Sequence, residues 1–346
     1  MRLTFVLPGK GRSGGNRVTV IAANGLIERG HHVRILVHKP KTRVKGALRA
    51  KWLKLRYPGT NDWLQLFGGR VETFRDLTKC RFGDDEIVVA VGLWSCQEIS
   101  RVKNPIIKKV HYIHGAPQWD INLLKAAWSE NVPKLAVSTY LEAKVREICG
   151  QKVVAVIPNG VDTTEYYPSV PESERDGIGT MFGTIYYKDP ETILSVLQRL
   201  RQNHRQVPQR IFSACRRPKE IPPKRYIRFP SIDEARDIYS RSLVWVLASR
   251  SEGFPAPILE AMACGCAVVA TDCGGPRDII NNGENGFLVE VGNVRQTVDR
   301  IELLLDDAKL RCRIVEKAKE TINRFHWEAS IQKLEQALEG FYALYA

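Results

Sequence analysis

The feature that most constrains this chain is a recurring alternation of short, unbroken Val/Ile-rich runs with segments of helical period. Residues 3–7 form the first run, 16–29 follow as a helix with Val18, Ile21, Ala22, Leu26 and Ile27 on one face, and 33–37 return as a strand. Further runs stand at 87–91, 107–113, 134–137 and 153–157. Apolar residues fill successive rather than alternate positions, so both faces of each strand are buried, which is the mark of a parallel sheet covered by helices. The plan then repeats, with runs at 177–182, 210–214, 226–229, 243–247 and 267–270 and helices expected near 190–203, 233–240 and 257–264. A length of 346 residues exceeds what one core usually organises. Two doubly wound α/β domains are therefore expected. The stretch 158–176, rich in Pro, Asn, Gly, Ser and acids, is the weakest patterned. It sets an N-terminal domain at 1–162, a linker at 163–176 and a C-terminal domain at 177–326. A last helix within 327–346 carries Ile331, Leu334, Leu338 and Phe341 on one face and is expected at the domain junction.

Composition narrows the class. The apolar fraction of 44% and charged fraction of 26% are ordinary for a soluble globular chain. The opening apolar run stops at Pro8 and Gly9, too short for a signal-peptide core, and no stretch approaches the ~20 apolar residues of a membrane span. Eight cysteines show neither C-x-x-C nor zinc-ligand spacing, so they read as reduced, mostly buried thiols of a cytosolic protein. The net charge of +14 is lopsided: residues 1–165 hold 27 Lys and Arg against 14 Asp and Glu. No acid occurs between Glu28 and Asp62. That asymmetry implies an anionic partner, whether membrane surface, polyanionic acceptor or nucleic acid. Within it, 41–57 reads as a basic helix with Leu48, Trp52 and Leu55 on one face, a pattern suited to an anionic membrane surface. No nucleic-acid-binding module is recognisable.

Ligands of open parallel sheets bind outside the carboxyl ends of the strands. The segment 249–265 fits that place, since it follows the 243–247 run and opens a helix at Pro257, a residue suited to a first helical turn. The N–H groups of Ala256 and Ile258, with the helix dipole, would make a phosphate site. Glu260 falls one turn in, where a carboxylate can accept hydrogen bonds from a ribose diol. Glu252, eight positions earlier, can reach the sugar side of a bound diphosphate. Gly253, Phe254 and Leu259 complete the candidate donor-binding set. Spacing alone is unspecific, because helix-capping acids could produce it.

The segment resembles the E-x7-E region of family 4 retaining glycosyltransferases, which have the GT-B fold of two Rossmann-like domains facing across a cleft. The likeness extends through 267–280, 282–289 and 156–162 and to Gly14-Gly15 with 28–33, and its C-terminal half is the more specific. It implies a nucleotide-sugar donor, with Glu252, His114 and Lys188 at the reacting centre. In the family an Arg and a Lys neutralise the diphosphate; here Lys188 matches the Lys, but Thr184 stands where the Arg would be. Either Arg216 or Arg217, after the 210–214 run, supplies the second charge, or the site is weaker. Gly14 and Gly15, between first strand and first helix, would let backbone approach the ligand. His114, ending a strand, matches a family histidine that contacts the donor sugar, whereas His111 inside the strand reads as structural. Pro255 replaces a common family Gly and removes one N–H near the sugar.

With no D-x-D present, the resemblance implies metal-independent transfer of a hexose-type sugar, with retention, to a saccharide or lipid-linked acceptor of glycan or envelope polysaccharide synthesis. No cofactor beyond the nucleotide sugar is expected, and the site of action is cytoplasmic or on the inner membrane face. The competing readings are a non-catalytic polyanion or nucleic-acid binder and a GT-B nucleotide-sugar epimerase.

Overall fold

The computed structural model describes residues 1–39, 52–53, 55–57, 62–116, 121–203 and 207–344. The chain divides into two compact units, 1–159 with 327–346 and 160–326.

The first unit is built on a seven-stranded sheet of order β3-β2-β1-β4-β5-β6-β7. Its strands are β1 (Arg2–Leu7), β2 (His32–His38), β3 (Arg70–Phe74), β4 (Ile87–Val91), β5 (Lys108–Ile113), β6 (Lys134–Ala136) and β7 (Ala155–Val156). Every pairing is parallel, with Phe5 flanked by Ile35 and Val89. Helices α1 (Gly14–Glu28), α2 (Leu93–Arg101), α3 (Ile121–Ser129) and α4 (Thr139–Cys149) cover it. Strand β3 was not expected. Only Phe74 of its five residues is buried, so an edge strand left no apolar run to read.

The second unit repeats the plan with a six-stranded parallel sheet of order β10-β9-β8-β11-β12-β13. The strands are β8 (Ile178–Met181), β9 (Gln209–Ser213), β10 (Tyr226–Arg228), β11 (Val244–Leu247), β12 (Ala267–Thr271) and β13 (Phe287–Val289). They are covered by α5 (Pro190–Asn203), α6 (Ile232–Arg241), α7 (Ala256–Ala263), α8 (Val294–Asp306) and α9 (Ala308–Ile322). Trp245 of β11 is fully buried and its ring lies 4.3 Å from that of Tyr239. Gly179 makes room for it, because a Cβ there would sit 2.7 Å from the indole. Each such buried large side chain contributes about 1.5–3 kcal/mol of transfer free energy. Helix α6 starts at a full capping box between Ser231 and Glu234.

The expected linker, 163–176, lies on the second unit. Ser240 Oγ accepts from Ser169 N and donates to Tyr167 O, and Arg175 donates to Ser242 O. The last helix, α10 (Trp327–Leu344), buries Ile331, Leu334, Leu338 and Phe341 as its spacing predicts. It packs on α1, where a Cβ on Gly25 would fall 2.3 Å from Ile331 Cδ1, and Ser330 Oγ donates to Pro158 O. Two such parallel α/β units with a C-terminal helix make a GT-B fold.

In each sheet the strand order reverses beside the first strand, between β1 and β4 and between β8 and β11. The loops leaving those strands diverge and open a crevice at the carboxyl edge. The candidate residues lie in or beside those loops.

Candidate functional site

In the second unit, the loops after β8 and β11 bring together residues that stand 64 positions apart. Lys188 Nζ donates to Glu252 Oε1 at 2.7 Å, and Ser249 Oγ donates to the same oxygen at 2.7 Å. Lys188 ends a single 3-10 turn, Tyr186–Lys188. Its stem folds back across Gly183, where a Cβ would come 2.8 Å from Lys188 Cγ. Burial disfavours its charge, yet the Glu252 carboxylate outweighs that and holds the ammonium pKa above the ordinary lysine value.

Glu252 is fixed from both sides. Upstream, Thr271 Oγ1 accepts from Ser249 N at 2.9 Å and donates to Ser249 O at 2.6 Å. Downstream, Gly275 N donates to Glu252 O at 2.9 Å, and Glu252 forms a bridge with Gly274. Gly275 must be glycine for this approach, since a Cβ would lie 2.2 Å from Gly253 O. Ser249, Thr271 and Gly275 were not among the expected site residues. Ser249 and the Gly274-Gly275 pair stood inside the family-like segments, but their contacts depend on chain crossing that spacing does not reveal.

Helix α7 begins at Ala256, one residue earlier than expected, with Pro255 at its N-cap and Pro257 in its first turn. Ile258 N–H is already bonded to Pro255 O at 3.0 Å, so it does not face a ligand as expected. Ala256, as the first helical residue, has no intrahelical acceptor for its N–H. The side chains of Ile258 and Leu259 are fully buried, and Phe254 packs on Phe325 at 5.6 Å between centroids. Those three residues can meet a ligand only through the main chain. Glu260 is buried, and its Oε2 accepts from the hydroxyl of Tyr239 at 2.8 Å, a partner that no local pattern announces.

Thr184, in place of the family Arg, is exposed and lies 3.4 Å from Cys215 Sγ. Of the two arginines after β9, Arg217 is turned onto its own loop, donating to Pro218 O and Ile221 O. Arg216 is exposed with no side-chain partner among the described residues, so it is the one available to an anion.

In the first unit, Ser13 Oγ accepts from Asn16 N and starts α1 at Gly14. Buried Asn16 donates through Nδ2 to Gly9 O and Gly11 O at 3.1 Å each, which fixes the loop after β1. Gly15 meets His114: a Cβ there would lie 3.8 Å from His114 Nδ1. Burial pushes the His114 pKa down to about 3, so the ring is neutral at pH 7. Neither ring nitrogen has a hydrogen-bond partner among the described residues. His111, deeper in β5, is likewise neutral, with burial holding it at about 3.

Of the basic segment 41–57, residues 41–51 and 54 lie outside the described residues. Among those described, Trp52 and Leu55 are exposed, 53% and 83% respectively. No helix among the described residues is long and apolar enough to cross a membrane. No cluster of three His, Cys, Asp or Glu side chains suited to a metal ion occurs among them.

Residues 225–321 match the family model described as glycosyl transferases group 1. The chain is 34% identical over 109 residues to an uncharacterized glycosyltransferase of Methanocaldococcus jannaschii, covering 32% of this chain and 31% of that protein. It is 41% identical over 75 residues to N,N'-diacetylbacillosaminyl-diphospho-undecaprenol alpha-1,3-N-acetylgalactosaminyltransferase of Campylobacter jejuni, covering 22% of this chain and 20% of that protein. The matches thus span less than a third of these curated relatives. Among solved structures, Anabaena HepE in complex with UDP-glucose is similar with a TM-score of 0.76 and 16% identity, over 98% of this chain and 100% of that one. The chain has the GT-B fold, and its residues 225–321 carry the pattern of group 1 glycosyl transferases.

Proposed function

We propose that this protein is a retaining glycosyltransferase of family 4 type, moving a hexose-type sugar from a nucleotide diphosphate sugar to a saccharide or lipid-linked acceptor. The observation that carries the reading is the Lys188–Glu252 pair, set at the reversal of strand order beside the helix that holds Glu260. A cation and a helix N-terminus suited to a diphosphate, and a buried carboxylate suited to a ribose, support the reading. The relatives support the substrate class, one being a transferase named for a diphospho-undecaprenol-linked sugar and another solved in complex with UDP-glucose.

In this mechanism the Glu260 carboxylate, oriented by Tyr239, accepts hydrogen bonds from the ribose hydroxyls. Lys188, Arg216 and the Ala256 N–H stabilise the charge that develops on the departing diphosphate, and no metal ion is needed for it. Glu252, with the main chain at Gly253 and Phe254, positions the sugar. Neutral His114 hydrogen-bonds a sugar hydroxyl, and Gly14 and Gly15 keep the neighbouring backbone open to ligand. The bond between the anomeric carbon and the diphosphate oxygen breaks as the acceptor oxygen bonds to that carbon. The acceptor proton passes to the leaving phosphate oxygen on the same face, so configuration is retained. The basic segment 41–57 brings the protein to an anionic membrane surface on the cytoplasmic side, where a lipid-linked acceptor would lie.

A panel of nucleotide sugars and nucleoside diphosphates scored by thermal shift tests the donor site. A ligand at ~100 times its Kd stabilises by ~2.7 kcal/mol. Absence of any shift across the panel would remove the basis of the reading. Glu252→Gln separates enzyme from polyanion binder, because transfer should fall about 10²-fold or more while affinity for a polyanion such as heparin stays unchanged.

A further inference from the structure

Two charged pairs cross between the same two loops. Lys188 reaches Glu252, and one residue further on Asp189 Oδ1 accepts from Arg250 Nη2 at 3.0 Å. Arg250 also donates its backbone N–H to Tyr187 O at 2.8 Å, and its guanidinium carbon lies 5.1 Å from the centre of the Tyr186 ring. One residue thus touches Tyr186, Tyr187 and Asp189, the neighbours of Lys188 on both sides. Asp189 is the unusual member. It is 2% exposed, has a left-handed φ of 44°, and its Oδ2 has no partner among the described residues. A buried carboxylate on backbone that disfavours side chains is costly on both counts and persists where neighbours over-determine it.

The arrangement has a consequence for ligand exchange. A diphosphate reaching this site competes with Glu252 for the Lys188 ammonium, and as that bond is exchanged it ceases to tie the loops. Neither the Arg250–Asp189 pair nor the Arg250 N–H to Tyr187 bond involves the Lys188 ammonium, so exchanging that ammonium does not require either to break. With Thr184 where the Arg would be, the diphosphate leans on Lys188 and the exposed Arg216, so the place at which Lys188 is held matters.

We propose that Arg250 is a positioning residue, acting through Asp189 and the Tyr186–Lys188 turn to hold Lys188 at the diphosphate while Lys188 exchanges Glu252 for phosphate. This rests on the donor-site reading above. Calorimetric titration of the full chain with UDP, GDP and ADP, each beside its free nucleoside, tests it. Arg250→Ala and Asp189→Asn should each weaken the best-bound diphosphate about tenfold, the range of one charge-assisted hydrogen bond. The matching nucleoside should be unaffected, and Arg250→Lys should recover part of the loss. In Lys188→Ala, adding Arg250→Ala should cost little more, because the residue to be positioned is gone. Asparagine tolerates positive φ, so Asp189→Asn keeps the turn even if Arg250→Ala fails to fold. Diphosphate affinity within twofold of wild type, an equal loss for nucleoside and diphosphate, or additivity with Lys188→Ala would each overturn the proposal. Wild-type protein that binds none of the three diphosphates would instead overturn the donor site itself, and this proposal with it.

Discussion

Replacing Lys188 by methionine gives a quantitative test of the ion pair at the centre of the site. Methionine keeps a stem to lie across Gly183 but removes the ammonium, leaving Glu252 with Ser249 Oγ as its remaining described side-chain donor. The paired side chains are 22% and 11% exposed. Removing one partner of a fully buried pair costs about 3–5 kcal/mol, whereas an exposed pair is worth at most about 1 kcal/mol. For a pair mostly out of water we expect a loss of about 2 kcal/mol. Glu252→Gln, which strands the ammonium instead, should cost a similar amount. The double variant should then be about 1–2 kcal/mol more stable than the sum of the single effects requires, since neither charge is left alone. Urea denaturation of the four proteins, followed by tryptophan fluorescence, measures the cycle. The sign with pH is fixed as well. The Lys188 pKa is raised in the folded protein, so its stabilisation is fully present below the ordinary lysine value of ~10.4 and is lost as pH rises through the folded one. The Lys188→Met penalty should therefore be flat between pH 7 and pH 9, taken as roughly neutral to mildly basic, and shrink only above ~10.4. Additivity within ~0.5 kcal/mol would refute the argument that these groups are coupled.

Three further outcomes are expected. Tyr239→Phe removes the donor to Glu260 Oε2, a loss of about 1–3 kcal/mol at a buried carboxylate; steady-state kinetics should show it as a raised KM for donor with kcat kept, and an equal fall in kcat and kcat/KM would count against the ribose role. Gly275→Ala forces a Cβ to within 2.2 Å of Gly253 O, and the displaced Glu252 loop should lower transfer about 10²-fold, measured in a radiolabelled donor assay. His111 and His114 are held near 3 in the folded protein against an unfolded value of ~6.5, so the stability they allow is present above ~6.5 and is lost as pH falls towards 3. Denaturation midpoints of His111→Leu should accordingly fall less steeply with acid than those of the wild type, by up to about 1.4 kcal/mol per pH unit.

The fold was legible wherever burial on both faces wrote a continuous apolar run. Ile87–Val91 and the helices Pro190–Asn203 and Trp327–Leu344 fall where the pattern predicts them. It was illegible at the edges, where β3 buries only Phe74 and β13, though Phe287 and Val289 are buried, is only three residues long and makes too short a run to stand out. In the site, the E-x7-E segment and Lys188 were readable because each follows a strand and the flanks resemble a family. The start of α7 was misread by one residue, since Pro257 is as acceptable in the second helical position as in the first. What sequence could not show is which partner each group takes. Nothing local links Tyr239 to Glu260, Arg250 to Asp189 or Gly275 to Gly253; each contact arises from the order in which parallel strands are laid side by side.

That the last helix belongs to the first unit imposes a schedule on synthesis. The chain leaves that unit at Asn159 and rejoins it at Trp327. Helix α1 ends at Glu28 and α10 at Leu344, so at ~5–20 residues per second roughly fifteen to sixty seconds pass on the ribosome before α10 can cover α1. Through that interval the notch at Gly25, shaped for Ile331, faces solvent or a chaperone. The N-terminal half is thus finished last, and a nonsense codon or nick near the C-terminus would damage the beginning of the protein before its middle.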